Sequence, residues 1–528
     1  MFDVDATSIN RLSAVNCGCH NPAAARINAL YAVHEAASAN LGGAAASAAT
    51  APAATAPAAA APAAAAPAAA ASAAAASAAA ASAAAASAAA ASTAATAPHS
   101  TAAPHPAAHP PIAFVNVRIF DGVSDALLTG MRVVVEGRQI KAVEPQSLPL
   151  PEGCQVIDGK GGVLMPGLID AHWHSILARP SILMAMTADF NYVHTMAVVE
   201  AGATLMRGFT TVRDMGGPAF GLKRAIDEGL TPGPRIYPSG AFLSQTSGHG
   251  DFRLLSDLPR SPEGGLSYVE KVGVTAICDG ADQVLLRARE QLMRGASQLK
   301  YMAGGGVMSS YDGLDVTEGS LEELKAAVTA AENWGTYVTV HAYTSRAVGM
   351  ALDAGVRCIE HGQLIDEDTA RRIADMGVWW SLQPFLDDED AVPTQSPSSR
   401  QKQLAMVAGT DRAYEMAHRL GIKTAWGTDT LFDARLATRQ GAQLAKMSRW
   451  YGAAEVLRMA TSVNGELCAM AGPRNPYPGK LGVVQAGAMA DLLLVDGNPL
   501  ENLQLIAQPE QSLSVIMKDG KVCKPAQG

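Results

Sequence analysis

At 528 residues and a net charge of −9, the chain is long enough for several domains and too acidic to suit a nucleic-acid or anionic-membrane partner. No apolar run approaches the ~20 residues of a spanning helix, and the acidic start MFDVDATSIN lacks the basic and then apolar character of a signal peptide. Seven scattered cysteines suit a reducing compartment better than a disulfide framework, so a cytoplasmic location is expected.

Residues 44–98 contain only Ala, Ser, Thr and Pro. A five-residue period runs from Ser47 through Pro52, Pro57, Pro62 and Pro67 to Ser72, Ser77, Ser82, Ser87 and Ser92. Such a segment has no large apolar side chain to bury and cannot offset its own ordering entropy. Residues 1–110 therefore read as a disordered tail or spacer. Cys17, Cys19 and His20 in CGCH have no second cluster nearby, and a single such group makes no metal site.

From about Ile112 the texture changes. IAFVNVRIFDG, MRVVVEGRQIKAVE and CQVIDGKGGVLMPG are β-rich runs separated by glycine-containing turns. GKLGVVQAGAMADLLLVDGNPL and LSVIMKDGKVCK repeat that texture near the other end. Residues 111–164 and 476–528 are expected to pair as a small β-sandwich. Between them, residues 165–475 alternate short apolar strands with helical stretches. The strand candidates are VLMPGLIDAHWH, FTTVRDM, RIYPSG, QLKYMA, TYVTVHAY, CIEHG, WWSLQP and KTAWGTDT. Helical intervals such as LEELKAAVTAAENWG and DEDTARRIADMG separate them. Eight strands in alternation with helices predict an α/β fold, a (β/α)8 TIM barrel flanked by the sandwich. A doubly wound open sheet is the alternative, weakened because no G-x-G-x-x-G follows any strand.

Chemistry in such a barrel sits at the C-terminal ends of the strands. The first candidate ends in His172 and His174, whose spacing places both imidazoles on one face of a strand. The fourth carries Lys300, the fifth His341, the sixth His361 and the eighth Asp429. Four of only twelve histidines thus fall at strand ends, where they would converge. The pair His172 and His174 reads as half of a metal site.

PGLIDAHWHS, LKYMAGGGVMS, VTVHAY, IEHG and WGTDT occur in an order that resembles the metal-dependent amidohydrolase superfamily. The likeness is greatest to its imidazolonepropionase-related branch, which includes prolidase-like dipeptidases, carboxypeptidases and ochratoxin-type amidases. It spans about residues 112–525, and GAMADLLLVDGNPLEN resembles the small β-domain of many members. An ordinary lysine, with a pKa of about 10.4, is a cation and repels a metal. The resemblance implies that Lys300 is carboxylated by carbon dioxide and bridges two divalent ions. It places His172, His174 and Asp429 on one ion and His341 and His361 on the other. Zinc is the default for such ligands, with manganese or cobalt fitting nearly as well.

The implied activity is cleavage of an amide bond by a metal-bridging hydroxide, in a dipeptide, N-acyl amino acid or ochratoxin-like amide. Asp429 would orient the nucleophile, take its proton and pass it to the departing amine. His249 in SGHGD and Tyr343, on the strand face of His341, are candidate catalytic and substrate-binding donors to a developing oxyanion. Arg213 in TTVRD is a candidate bidentate clamp for a substrate carboxylate, with a structural salt bridge as its alternative. The glycines at 304–306 fit a tight loop over the site. Enzymatic alternatives are a cyclic-amide hydrolase of the imidazolonepropionase type, which Lys300 argues against, and a phosphotriester hydrolase. The non-enzymatic alternative is a metal-free barrel acting as an interaction protein, against which stand all six candidate ligands. Homo-oligomers are frequent in the superfamily, so a homo-oligomer is expected.

Overall fold

A computed structural model of the chain describes residues 110–260, 265–394 and 396–526. The alanine-rich segment, Cys17, Cys19 and His20 lie outside the described residues. The fold is mixed α/β. It begins with β1 (Ile112–Val115), β2 (Arg118–Ile119), β3 (Met131–Glu136), β4 (Gln139–Pro145), β5 (Gln155–Asp158) and β6 (Val163–Pro166). The central strands are β7 (Leu168–Trp173), β8 (Phe209–Asp214), β9 (Arg235–Pro238), β10 (Phe242–Ser244), β11 (Thr275–Ile277) and β12 (Leu299–Met302). They continue with β13 (Val338–Thr344), β14 (Cys358–Leu364), β15 (Trp379–Leu382) and β16 (Thr424–Trp426). Last come β17 (Leu492–Val495), β18 (Leu513–Lys518) and β19 (Lys521–Lys524).

Two sheets are built from the flanking strands, ordered β4-β3-β1-β5 and β19-β18-β17-β6-β2. The second joins both ends of the folded region: β6 pairs antiparallel with β17, Val163 opposite Val495 and Pro166 opposite Leu492. Phe114, Val133, Leu164, Leu492 and Val515 share one buried apolar cluster between these sheets, which removes their apolar faces from water together.

The central strands run in parallel ladders, β7-β8-β9 and β11-β10-β12-β13-β14-β15-β16. Hydrogen bonds join the two ladders at both ends. Ser297 N–H donates to Pro238 O at 2.8 Å, beside β9. Trp173 bridges Thr430 in parallel, and Asp429 N–H donates to His172 O at 2.8 Å. Near-continuous burial of these strands is what helices on the outer face of a parallel sheet produce.

The helices between the strands form where the sequence supplies stops and starts. In α1 (Leu321–Asn333), Ser320 Oγ accepts from Glu323 N–H at 3.3 Å while Glu323 accepts from Ser320 N–H at 2.6 Å, a reciprocal cap. Leu324, Ala327 and Ala331 then face the core. In α2 (Glu367–Asp375), Asp366 caps Thr369 N–H at 2.8 Å. Among the described residues no helix is long and apolar enough to cross a membrane.

Two strand boundaries differ from those expected. VLMPGLIDAHWH is two strands, because Gly167 passes so close to Thr210 that an added Cβ would lie 2.1 Å from its Oγ1. The chain there leaves the flanking sheet and enters the central one. Between RIYPSG and QLKYMA the chain also holds β10 and β11, three residues each, too short to show a period.

Candidate active site

His172 belongs to β7 and His174 follows its end; Lys300, His341 and His361 lie on β12, β13 and β14, and Asp429 follows β16. The fold brings all six together. Asp429 Oδ1 lies 3.0 Å from His172 Nε2 and 3.1 Å from His174 Nε2. The ring centres of His172 and His361 are 5.0 Å apart, those of His341 and His361 4.5 Å. One ligand atom each of His172, His361 and Asp429 lies within 4.8 Å of the others, close enough for the three to belong to one metal centre. These residues line one cleft.

Burial pushes the Asp429 carboxyl up, but the facing His172 charge and the hydrogen bonds of both histidines outweigh it and hold the group well below the usual carboxylate range. Burial depresses His341 and His361, which keeps both imidazoles neutral with a lone pair to offer. Burial also draws Lys300 down to about 8, and its Nζ has no hydrogen-bond partner among the described residues. A buried, unpartnered amine in the centre of a ligand cluster is costly unless another group joins it.

Behind these ligands stand residues that the motifs did not single out. Glu360 Oε2 lies 2.8 Å from His172 Nδ1, and its Oε1 accepts from Arg213 Nη1 at 2.8 Å and Thr339 Oγ1 at 2.5 Å. That contact holds the His172 proton on Nδ1 and leaves Nε2 facing the cleft. Gln383 Oε1 does the same for His361 Nδ1 at 2.7 Å. Asp170 accepts from the backbone N–H of His172 and of Thr428, each at 3.1 Å, tying β7 to the loop that carries Asp429. Replacing Glu360 with Gln is expected to weaken metal affinity by about 10–100-fold. Competition with a chromogenic chelator measures it, and unchanged affinity would leave Glu360 a purely structural residue.

Arg213 is not where a substrate clamp would be. It is fully buried, its guanidinium spent on Glu360, on Ala171 O at 2.9 Å and on Tyr337 Oη at 3.0 Å. The structural salt bridge is the alternative this geometry supports, because the guanidinium lies wholly inside the protein and is engaged by Glu360, Ala171 and Tyr337.

His249 and Tyr343 both border the cleft. The His249 ring stacks on His341 at 4.0 Å, with its Nδ1 2.8 Å from Ser309 Oγ and its N–H held by the Glu318 carboxylate at 2.8 Å. Burial lowers it to about 4, so it is a neutral imidazole. Tyr343 packs 5.0 Å from the His341 ring, and burial holds its phenol well above its ordinary value. The 304–306 glycines run alongside: a Cβ on Gly306 would lie 2.0 Å from the His249 ring, so only glycine admits that approach.

Comparisons with known proteins identify the family. The amidohydrolase family model matches residues 163–523. Ochratoxinase of Aspergillus niger is 30% identical over 387 residues, 69% of this chain and 76% of that protein. A crystal structure described as an amidohydrolase is 35% identical with a TM-score of 0.72, covering 79% of this chain and 100% of its own. A crystal structure of a prolidase complexed with N-methylphosphonate-L-proline is 33% identical with a TM-score of 0.71, again covering 79% and 100%. The chain belongs to the amidohydrolase family and is a hydrolase acting on C–N bonds.

Proposed function

We propose that the protein is a binuclear metal-dependent amidohydrolase that cleaves an amide bond of a small molecule or dipeptide. The eight strands β7, β8, β9, β12, β13, β14, β15 and β16 are read as a closed (β/α)8 barrel, with residues 111–164 and 476–528 as a sandwich at its side. The observation that carries the reading is the convergence of four histidines, Asp429 and the unpartnered Lys300 Nζ in one cleft. His172, His174 and Asp429 would hold one divalent ion, His341 and His361 the other, and a Lys300 carbamate would bridge them. Zinc suits this donor set. Bound there, the ions acidify a water and polarise the amide carbonyl.

The chain's own residues do the rest. Asp429, a carboxylate in contact with both His172 and His174, receives the proton of the attacking water and returns it to the amine as the C–N bond breaks. Neutral His249 and protonated Tyr343 face the cleft as donors to the oxygen that gains charge. Glu360 and Gln383 keep His172 and His361 turned inward.

Elemental analysis of protein purified without chelator and supplied with bicarbonate is the direct test. About two divalent ions per chain are expected. One would move the reading to a mononuclear cyclic-amide hydrolase, and none after reconstitution would sink it.

A further inference from the structure

Apolar walls flank the ligand cluster on two sides. Beside His174 run Phe242, Phe252 and Phe432, with ring centres 5.7 Å from His174 to Phe242, 6.2 Å from Phe242 to Phe252 and 6.1 Å from Phe252 to Phe432. On the other side Phe385 stacks on His361 at 6.1 Å and 22°, and Val307 and Met406 pack with Tyr343. An amide carbon held at the cluster has an apolar wall in both directions.

The charge balance of the cleft points the same way. Among its described lining residues Lys300 supplies the only ammonium and no guanidinium is present. Arg213 lies buried under the cluster, its groups spent. Arg253 borders a neighbouring hollow, behind Phe252 and Met308, and its Nε and Nη2 are engaged by the Asp251 carboxylate at 2.8 and 2.6 Å. The carboxylate that does line the cleft, Asp390, is itself neutralised by Arg439 Nε at 2.5 Å and Lys446 Nζ at 2.9 Å. With the proposed ions, His249 and Tyr343 engaged at the carbonyl, a carboxylate entering with the substrate finds no free cationic side chain on either apolar wall and loses hydration there. Aromatic groups, by contrast, gain from contact with both walls.

We infer that the enzyme selects neutral amides with apolar, aromatic groups on both sides of the scissile bond over N-acyl amino acids and dipeptides bearing a free carboxylate. Phe252 and Phe385 are the specificity-determining side chains. This rests on the hydrolase reading for turnover but not for binding.

The test uses the metal-loaded full chain with N-(2-phenylethyl)benzamide and N-benzoylphenylalanine, which differ by one carboxylate. Water adds to the carbonyl carbon and the C–N bond breaks, giving benzoate with phenethylamine or with phenylalanine. The neutral compound is expected to show a kcat/KM at least about tenfold higher. Equal or better turnover of the acid overturns the inference. Calorimetric affinities separate the two readings. If neither compound turns over yet the neutral one binds about tenfold tighter, the selectivity stands and the assigned reaction fails. If the neutral compound does not bind, or binds no tighter than the acid, the selectivity fails whatever the turnover. Met406→Arg adds the missing cation and is expected to narrow the preference by about tenfold. An unchanged ratio in a folded variant counts against the inference.

Discussion

Replacing Asp429 with Asn is expected to lower kcat by on the order of 10³–10⁴ while leaving the fold intact. The backbone at Asp429 sits in the left-handed region, φ 53°, which asparagine tolerates nearly as well as aspartate. The substitution therefore changes the chemistry of one oxygen without straining the loop. What is lost is the carboxylate that faces both His172 Nε2 and His174 Nε2 and, with it, the group proposed to carry a proton from water to amine. Thermal melting checks the fold, elemental analysis the metal, and steady-state kinetics the rate. Hydrolysis at the wild-type rate would remove Asp429 from the proton path.

Replacing Lys300 separates its two expected roles. Lys300→Ala in the metal-loaded enzyme is expected to lower the metal content to one ion or fewer and to reduce kcat/KM by at least about 10³-fold, since the proposed bridge and the nucleophile it would support are lost together. Lys300→Met in metal-free protein is a different experiment. The lysine is buried and its Nζ has no partner among the described residues. An apolar side chain of similar length removes an unsatisfied polar group, which otherwise costs about 1–3 kcal/mol. The metal-free variant is therefore expected to melt at or above the metal-free wild type. A clear fall in Tm would mean that Nζ is already satisfied, and retention of two ions by Lys300→Ala would exclude the carbamate bridge.

The convergence of the six candidate ligands was legible because strand ends meet at one face, and alternation turns His172 and His174 the same way. Glu360 was hidden by the failure of that alternation. It directly precedes His361, so strict alternation would turn the two to opposite faces. His361 and Gly362 instead take positive φ, 73° and 77°, and the ladder to β13 slips between Ala342 and Thr344. Two successive side chains thereby serve one site. Arg213 was left between two readings for the complementary reason: a residue type states which partner it wants and not how deep its strand position lies. The cleft walls came from loops, where Phe385 and Phe252 obey no period, so nothing in their spacing assigned them to the site.

The pairing of β6 with β17 has a consequence for how the molecule is made. β6 emerges from the ribosome early, fully buried in its final place, yet its partner lies near the far end of the chain. At about 5–20 residues per second, roughly tens of seconds separate the two. During that interval Leu164 and its neighbours present an apolar strand edge with unpaired backbone groups. The terminal strands thus act as a closing clasp. A nascent or prematurely ended chain lacking Leu492–Val495 carries an open edge, a natural site for chaperone capture or for pairing with another unfinished copy.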